Sequence, residues 1–217
     1  MTLLEGVNMF RNQSKVISSL CMVIALIVTA TSNVLAADVA KLVEPCTGCH
    51  GKDGASTESE IPIIGGYSAG YITDTMVAFR DKERPCEETK IPAGPKKGES
   101  TDMCTIAKNL SEADTKLVAE YFASKPFVRA KQKFDPEKAK AGKKLQSTKC
   151  KKCHDEGGSL PDDDAGILAG QWTPYMRKQF KDFTSGARPM TKKMKKKYDQ
   201  LTEEEKENLI HFFASFQ

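Results

Sequence analysis

Cysteine and histidine come together twice in this 217-residue chain. Residues 44–54 read EPCTGCHGKDG and residues 147–158 read STKCKKCHDEGG. Cys46, Cys49 and His50 thus return as Cys150, Cys153 and His154, 104 positions further on. Two thiols two residues apart, with an imidazole directly after the second, form the C-x-x-C-H pattern of covalent haem attachment. The thiols bond to the porphyrin edge and the histidine turns a ring nitrogen onto the iron. One helical turn can present all three groups to one ring. A structural zinc site calls for a second Cys or His pair at regular spacing, and a thioredoxin-like redox pair for alternating strands and helices. The sequence has neither. Two motifs in matched contexts imply two covalently bound haem c groups, held by Cys46, Cys49, Cys150 and Cys153, with His50 and His154 as iron ligands.

Each iron needs a sixth ligand from elsewhere. The chain has three histidines, the third being His211, so paired histidines cannot serve both sites. The repeat supplies methionines instead. MCTIAKNLSEAD (103–114) aligns with MKKKYDQLTEEE (194–205) at a shift of 91, which pairs Met103 with Met194. A thioether ligand stabilises ferrous iron and raises the reduction potential. Both could instead be packing methionines, and Met190 competes with Met194 at four residues' distance. Met76 and Met176 read as packing, and His211, beside Phe212 and Phe213, as a core or surface histidine.

The change of shift from 104 to 91 places a 13-residue insertion in the first half, between Cys86 and Met103. Cys86 and Cys104 flank it. On an exported chain the plain reading is a disulfide closing this loop, worth about 3 kcal/mol on the chain-entropy model; free thiols or a redox-active pair are the alternatives.

Export is read from the N-terminus. Residues 1–15 are polar with Arg11 and Lys15, residues 16–30 are apolar, and Val34 and Ala36 sit where a signal peptide is cut. The apolar run is shorter than the roughly 20 residues of a spanning helix. Residues 1–36 are therefore expected to leave, Cys21 with them, whether translation starts at Met1 or Met9. The exported chain is expected in the periplasm, with no stable membrane span. Up to residue 130 it carries 12 basic and 15 acidic residues, and beyond it 19 and 13. That asymmetry suits oriented docking on a charged protein, and export argues against a nucleic-acid partner.

The elements that must position these groups are helical. IIGGYSAGYITDTMVAFRDKERP (63–85) and ILAGQWTPYMRKQFKDFTSGARP (167–189) match at Gly66/Gly170, Tyr71/Tyr175, Phe79/Phe183 and Arg84/Arg188. Helices are expected before each Cys motif, over about 68–81 and 173–184, and after Ser111 and Thr202, where Ser111 with Asp114 and Thr202 with Glu205 read as capping boxes. No stretch shows sustained strand alternation. The fold class is all-α, with domains at 37–124 and 136–217 joined by a linker at 125–135. Each core is thin for its size, and a large apolar group would complete it.

With these motifs the chain resembles dihaem cytochromes of the c4 type, built from two tandem class I cytochrome c domains. KCKKCHDEGG, ILAGQWTPYM and RPMTKKM, together with PFVRAKQKFD, are similar to the dihaem subunit of flavocytochrome c sulfide dehydrogenase. The resemblance implies Cys46, Cys49, Cys150 and Cys153 as haem attachment points, His50 and His154 as proximal ligands and Met103 and Met194 as distal ones. It further implies an electron-transfer protein without catalysis of its own, docked on an FAD-binding flavoprotein subunit and passing electrons to other redox proteins. A free-standing carrier serving a terminal oxidase or reductase is the alternative. The insertion at Cys86–Cys104 departs from the pattern. Trp172, Pro174 and Tyr175 are candidates for a partner-docking patch, or Trp172 for a wall of the haem core.

Overall fold

The computed structural model describes residues 38–161 and 165–217, so the segment read as a signal peptide lies outside the described residues. Residues from Val43 to Gln217 form one compact unit. No described helix is long and apolar enough to cross a membrane.

Residues 38–50 are helical (α1), followed by a short 3-10 turn at Lys52–Gly54. The first half continues with α2 (Ala69–Arg80), a two-residue-per-strand hairpin of β1 (Thr89–Lys90) and β2 (Ser100–Thr101), α3 (Met103–Lys108) and α4 (Glu112–Ala123). The second half repeats this order without the hairpin: α5 (Pro136–Leu145), a π turn at Gln146–Cys150, a 3-10 turn at Asp155–Gly157, α6 (Thr173–Ser185), α7 (Lys192–Tyr198) and α8 (Glu203–Ala214). The all-α expectation holds but for that hairpin, which lies within the insertion. It pairs Thr89 with Thr101 and Lys90 with Ser100.

Caps set the helix starts. The Ser68 side chain accepts from Tyr71 N at α2, Asp102 from Thr105 N at α3, and Ser111 from Asp114 N at α4. At α8, Thr202 and Glu205 form a reciprocal capping box, which satisfies two backbone donors that a helix start otherwise leaves open. Asp135 accepts from Glu137 N and Lys138 N ahead of Pro136 at α5. His211 Nδ1 accepts from Asp135 N at 2.9 Å and its Nε2 lies 3.1 Å from Glu207. It ties the linker to α8, as a structural histidine should.

The halves are built alike to fine detail. Gly66 N donates to Phe122 O at 2.9 Å and Gly170 N to Phe213 O at 2.8 Å. Both glycines take positive φ, 80° and 83°, and the linker packs so closely on them that a Cβ would meet Phe127 N at one and the Arg129 side chain at the other. Where the halves differ, they compensate. In the first, Arg80 on α2 reaches Thr115 on α4. In the second, the cation has changed helices, and Lys206 on α8 reaches Thr184 on α6.

The seam between halves is polar and fully bonded. Ile63 N donates to Gln171 Oε1 at 3.0 Å, and Gln171 Nε2 donates to Ile63 O at 2.8 Å and to the Tyr67 hydroxyl at 2.9 Å. Tyr67 in turn donates to Ile167 O at 3.4 Å. Tyr67 and Gln171 are repeat equivalents, as are Ile63 and Ile167, so this is a pseudo-twofold contact. Trp172 belongs to it too. Its Nε1 donates to Ser56 O at 3.0 Å, while Tyr175 N donates to Ser59 O at 3.2 Å. Both residues thus stand at the seam between the halves, each half-buried.

Candidate functional site

α1 ends on His50, and so carries Cys46, Cys49 and His50 on its last turn and a half. All three line one cavity of about 1300 Å³, its open mouth included. Ile64, Ile72, Met76, Phe79, Val118 and Phe122 make much of its wall apolar. Met103 lines it as well, placed at the first position of α3 by the Asp102 cap. The first candidate ligand set is thus gathered around one space.

The protonation state of the histidine suits iron ligation. His50 is buried, and its Nδ1 lies 2.9 Å from Pro62 O. A carbonyl can only accept, so Nδ1 carries the proton and Nε2 keeps its lone pair, as a metal-ligating imidazole requires. Burial, opposed by that hydrogen bond, holds the His50 pKa below the ordinary histidine value and keeps the ring neutral. Burial also pushes the Cys46 thiol up to about 11 and raises that of Cys49. Redox-active pairs need a depressed thiol pKa, so these unbridged cysteines are unlike a thioredoxin pair. The observed cavity, donor set and tautomer fit haem c.

The second set is arranged differently. None of Cys150, Cys153, His154 or Met194 lines that cavity. Cys150 packs against the core of Met176, Leu209, Ile210, Phe212 and Phe213, while Cys153 is exposed and His154 and Met194 are half-buried. The helix leading in does not run through the motif. Lys151 N bonds back to Gln146 O, and the N–H groups of Cys153 and His154 both donate to Cys150 O. Gln146 offers a cause. Its buried amide donates to His154 O at 2.6 Å, a bond that Leu42, its repeat equivalent, has no group to make.

Cys86 and Cys104 form a disulfide, their Cα atoms 5.5 Å apart. They stand beside Asp102 and Met103 at the start of α3.

Sequence reasoning matched Arg84 to Arg188 without assigning either a role, and the structure brings them together. Arg84 is buried and lies over the Phe79 ring at 4.4 Å, and Arg188 lies over Phe183 at 4.6 Å. Both donate to one oxygen, Gln179 Oε1, at 2.9 and 2.6 Å. Among the described residues no ion pair joins either guanidinium to a carboxylate. Two neighbouring cations, one buried and one half-buried, call for an anion, and Arg84 lines the cavity. Tyr71 answers in part. Burial favours its neutral form, yet Arg188 and Arg84 together draw its pKa below the usual phenol value. The available signal in the sequence was the Arg-Pro pair recurring at the repeat spacing.

Two copies of one helical order, the first closed around a Cys-Cys-His-Met cavity, are the architecture of a tandem class I cytochrome c. Similarity to known proteins agrees. Cytochrome c4 of Azotobacter vinelandii is 31% identical over 153 residues, 66% of this chain and 69% of that one. The reduced cytochrome c4 of Pseudomonas stutzeri superposes with a TM-score of 0.67 at 27% identity, covering 84% of this chain and 98% of the other. The cytochrome subunit of sulfide dehydrogenase from Chlorobaculum tepidum is 35% identical over 79 residues, 36% of this chain and 58% of its own length. No protein-family model matches. The chain belongs to the cytochrome c4 family and is a dihaem electron-transfer protein.

Proposed function

We propose that this chain is a free-standing periplasmic carrier that passes electrons between redox proteins, with its domains at 37–124 and 136–217. Cys46 and Cys49 hold the first haem and His50 and Met103 ligate its iron; Cys150, Cys153, His154 and Met194 do the same for the second. The observation that carries this reading is the single cavity lined by Cys46, Cys49, His50 and Met103. Bound haem supplies a one-electron ferric/ferrous couple. The chain's own residues do the rest. Pro62 O fixes the His50 tautomer, apolar side chains exclude water, and Arg84 on the cavity wall would offer positive charge to the carboxylates of a bound haem. With a histidine and a methionine both committed to it, the iron would keep no open position for substrate, in keeping with a carrier rather than an enzyme.

The second reading is the cytochrome subunit of a sulfide-oxidising flavoprotein complex. Its support is the likeness to the Chlorobaculum tepidum subunit, confined to about a third of the chain. A permanent subunit would need a desolvated patch of roughly 1,200–2,000 Å², and the Trp172 indole offered for it is hydrogen-bonded to Ser56 O at the seam between halves. Purification from the native host tests both readings. A monomer with two haems per chain by pyridine haemochrome assay and no flavin absorbance is expected. Copurification with an FAD protein, and haem reduction on adding sulfide, would establish the subunit reading instead.

A further inference from the structure

The two Cys motifs differ on the face that carries their spacer residues. In the first the spacer is Thr47-Gly48, and the inserted hairpin lies on it. Ala93 N donates to Gly48 O at 3.1 Å. A Cβ at Gly48 would come within 3.1 Å of the Ile91 side chain and 3.2 Å of Ala93 O. The hairpin therefore leaves room for glycine and little else. Ile91 is itself buried by this contact, and Thr89 and Thr101 reach the cavity wall. The Cys86–Cys104 disulfide closes the base of the insertion.

In the second motif the same two positions are Lys151 and Lys152, both exposed beside an exposed Cys153. The insertion has no counterpart there. The Lys151 side chain is 63% exposed and reaches Asp155 at 3.8 Å. Five of the seven residues of α7 are lysines that flank Met194. One site is thus capped where the other is open and ringed with positive charge.

We propose that the lysine-ringed face of the second motif is the docking surface for an acidic redox protein, and that the hairpin closes the equivalent face of the first. This rests on the haem assignment above. One electron leaves the partner's redox centre and enters the chain at its second site; no bond forms or breaks. Complementary charge raises the encounter rate and orients the partner, and electron transfer falls steeply with distance, so a capped site exchanges slowly with anything docked outside it.

An acidic flavodoxin in its hydroquinone state serves as the probe, mixed with oxidised dihaem protein in a stopped-flow instrument. At low ionic strength, Lys151→Glu with Lys152→Glu is expected to lower the second-order rate by about tenfold and to flatten its salt dependence. Lys96→Glu with Lys97→Glu, on the hairpin, is expected to change it by less than about twofold. Replacing residues 88–100 with a short Gly-Ser link is expected to add a second bimolecular phase as the first site opens. Equal slowing by both lysine pairs, no slowing by either, or no new phase on shortening the hairpin overturns the proposal. Pyridine haemochrome assay on each variant separates the layers. Two haems per chain leave the haem assignment standing whatever the kinetics, while fewer than two in the wild-type protein overturns that assignment and the port with it.

Discussion

Met103 and Met194 occupy equivalent positions by the 91-residue shift, yet the structure treats them unequally. Met103 opens α3 and lines the cavity; Met194 lies in the middle of a lysine helix, half-buried. If both are iron ligands, Met103→Ala and Met194→Ala each remove about half of the far-red Met-to-iron charge-transfer band and lower one haem potential, since the thioether favours ferrous iron. Met190→Ala leaves both unchanged. Optical titration of the oxidised and reduced forms reads the outcome, and loss of the band with Met190→Ala would move the second ligand to that position. Arg84 gives a further test at this scale. Arg84→Gln keeps a hydrogen-bonding side chain but takes a positive charge from the cavity wall, which disfavours added negative charge. The first haem's potential is expected to fall, with the second nearly unmoved, in spectroelectrochemistry that resolves the two. A shift shared equally by both haems would mean that the arginine acts on the seam as a whole.

Among the elements, α3 is the most dependent on one side chain. It is six residues long, too short to stand by its own propensity. Asp102 accepts from Thr105 N at 2.9 Å and from Thr105 Oγ1 at 2.7 Å, and these bonds hold its carboxyl below the ordinary aspartate pKa. Asp102→Ala is expected to destabilise the protein by about 1 kcal/mol at neutral pH. The sign of the pH dependence follows from the depressed pKa. The carboxylate's contribution is complete above the unfolded value of about 3.9 and is lost as pH falls through the lower folded value. Thermal melts of wild type and Asp102→Ala from pH 7 to pH 3 should therefore converge at the acid end. A gap that stays constant over that range would place the effect outside the carboxylate. The insertion beside this helix is where helix-based reading had least to work with. Strands of two residues are too short to show alternation, and the hairpin owes its place to the disulfide and to its seat on Gly48.

For the molecule as a whole, the seam turns on Gln171. It is 1% exposed and satisfies both backbone groups of Ile63 as well as the Tyr67 hydroxyl. Gln171→Ala leaves buried partners without a bond, at a cost of roughly 1–3 kcal/mol for such a group. Because the loss falls between the halves, their unfolding is expected to separate. Calorimetry of the holoprotein should change from one transition to two, and a single transition merely shifted downward would show that the linker and Trp172 suffice to couple them.

What the sequence determined alone was everything carried by local spacing and by repetition. C-x-x-C-H names its chemistry within five residues, caps at Ser111 and Thr202 announce helices by the bonds they can make with the next turn, and two copies make each half a template for the other. The duplication also led to Cys86 and Cys104, because a change of shift marks an insertion wherever it falls. Tertiary structure decided what depends on groups far apart in the chain. Gln171 meets Ile63 and Arg84 meets Gln179 across about a hundred residues, and no local pattern distinguishes such pairs from surface residues of the same type. Trp172 is the instructive case. An aromatic residue beside Pro174 and Tyr175 reads by composition as a docking patch or as a wall of the haem core, and only the folded chain places its indole on Ser56 O. The same holds for the two Cys motifs, identical in pattern and opposite in surroundings. The spacer Thr47-Gly48 is small because a hairpin more than forty residues downstream lies on it, and Lys151-Lys152 is charged where nothing does.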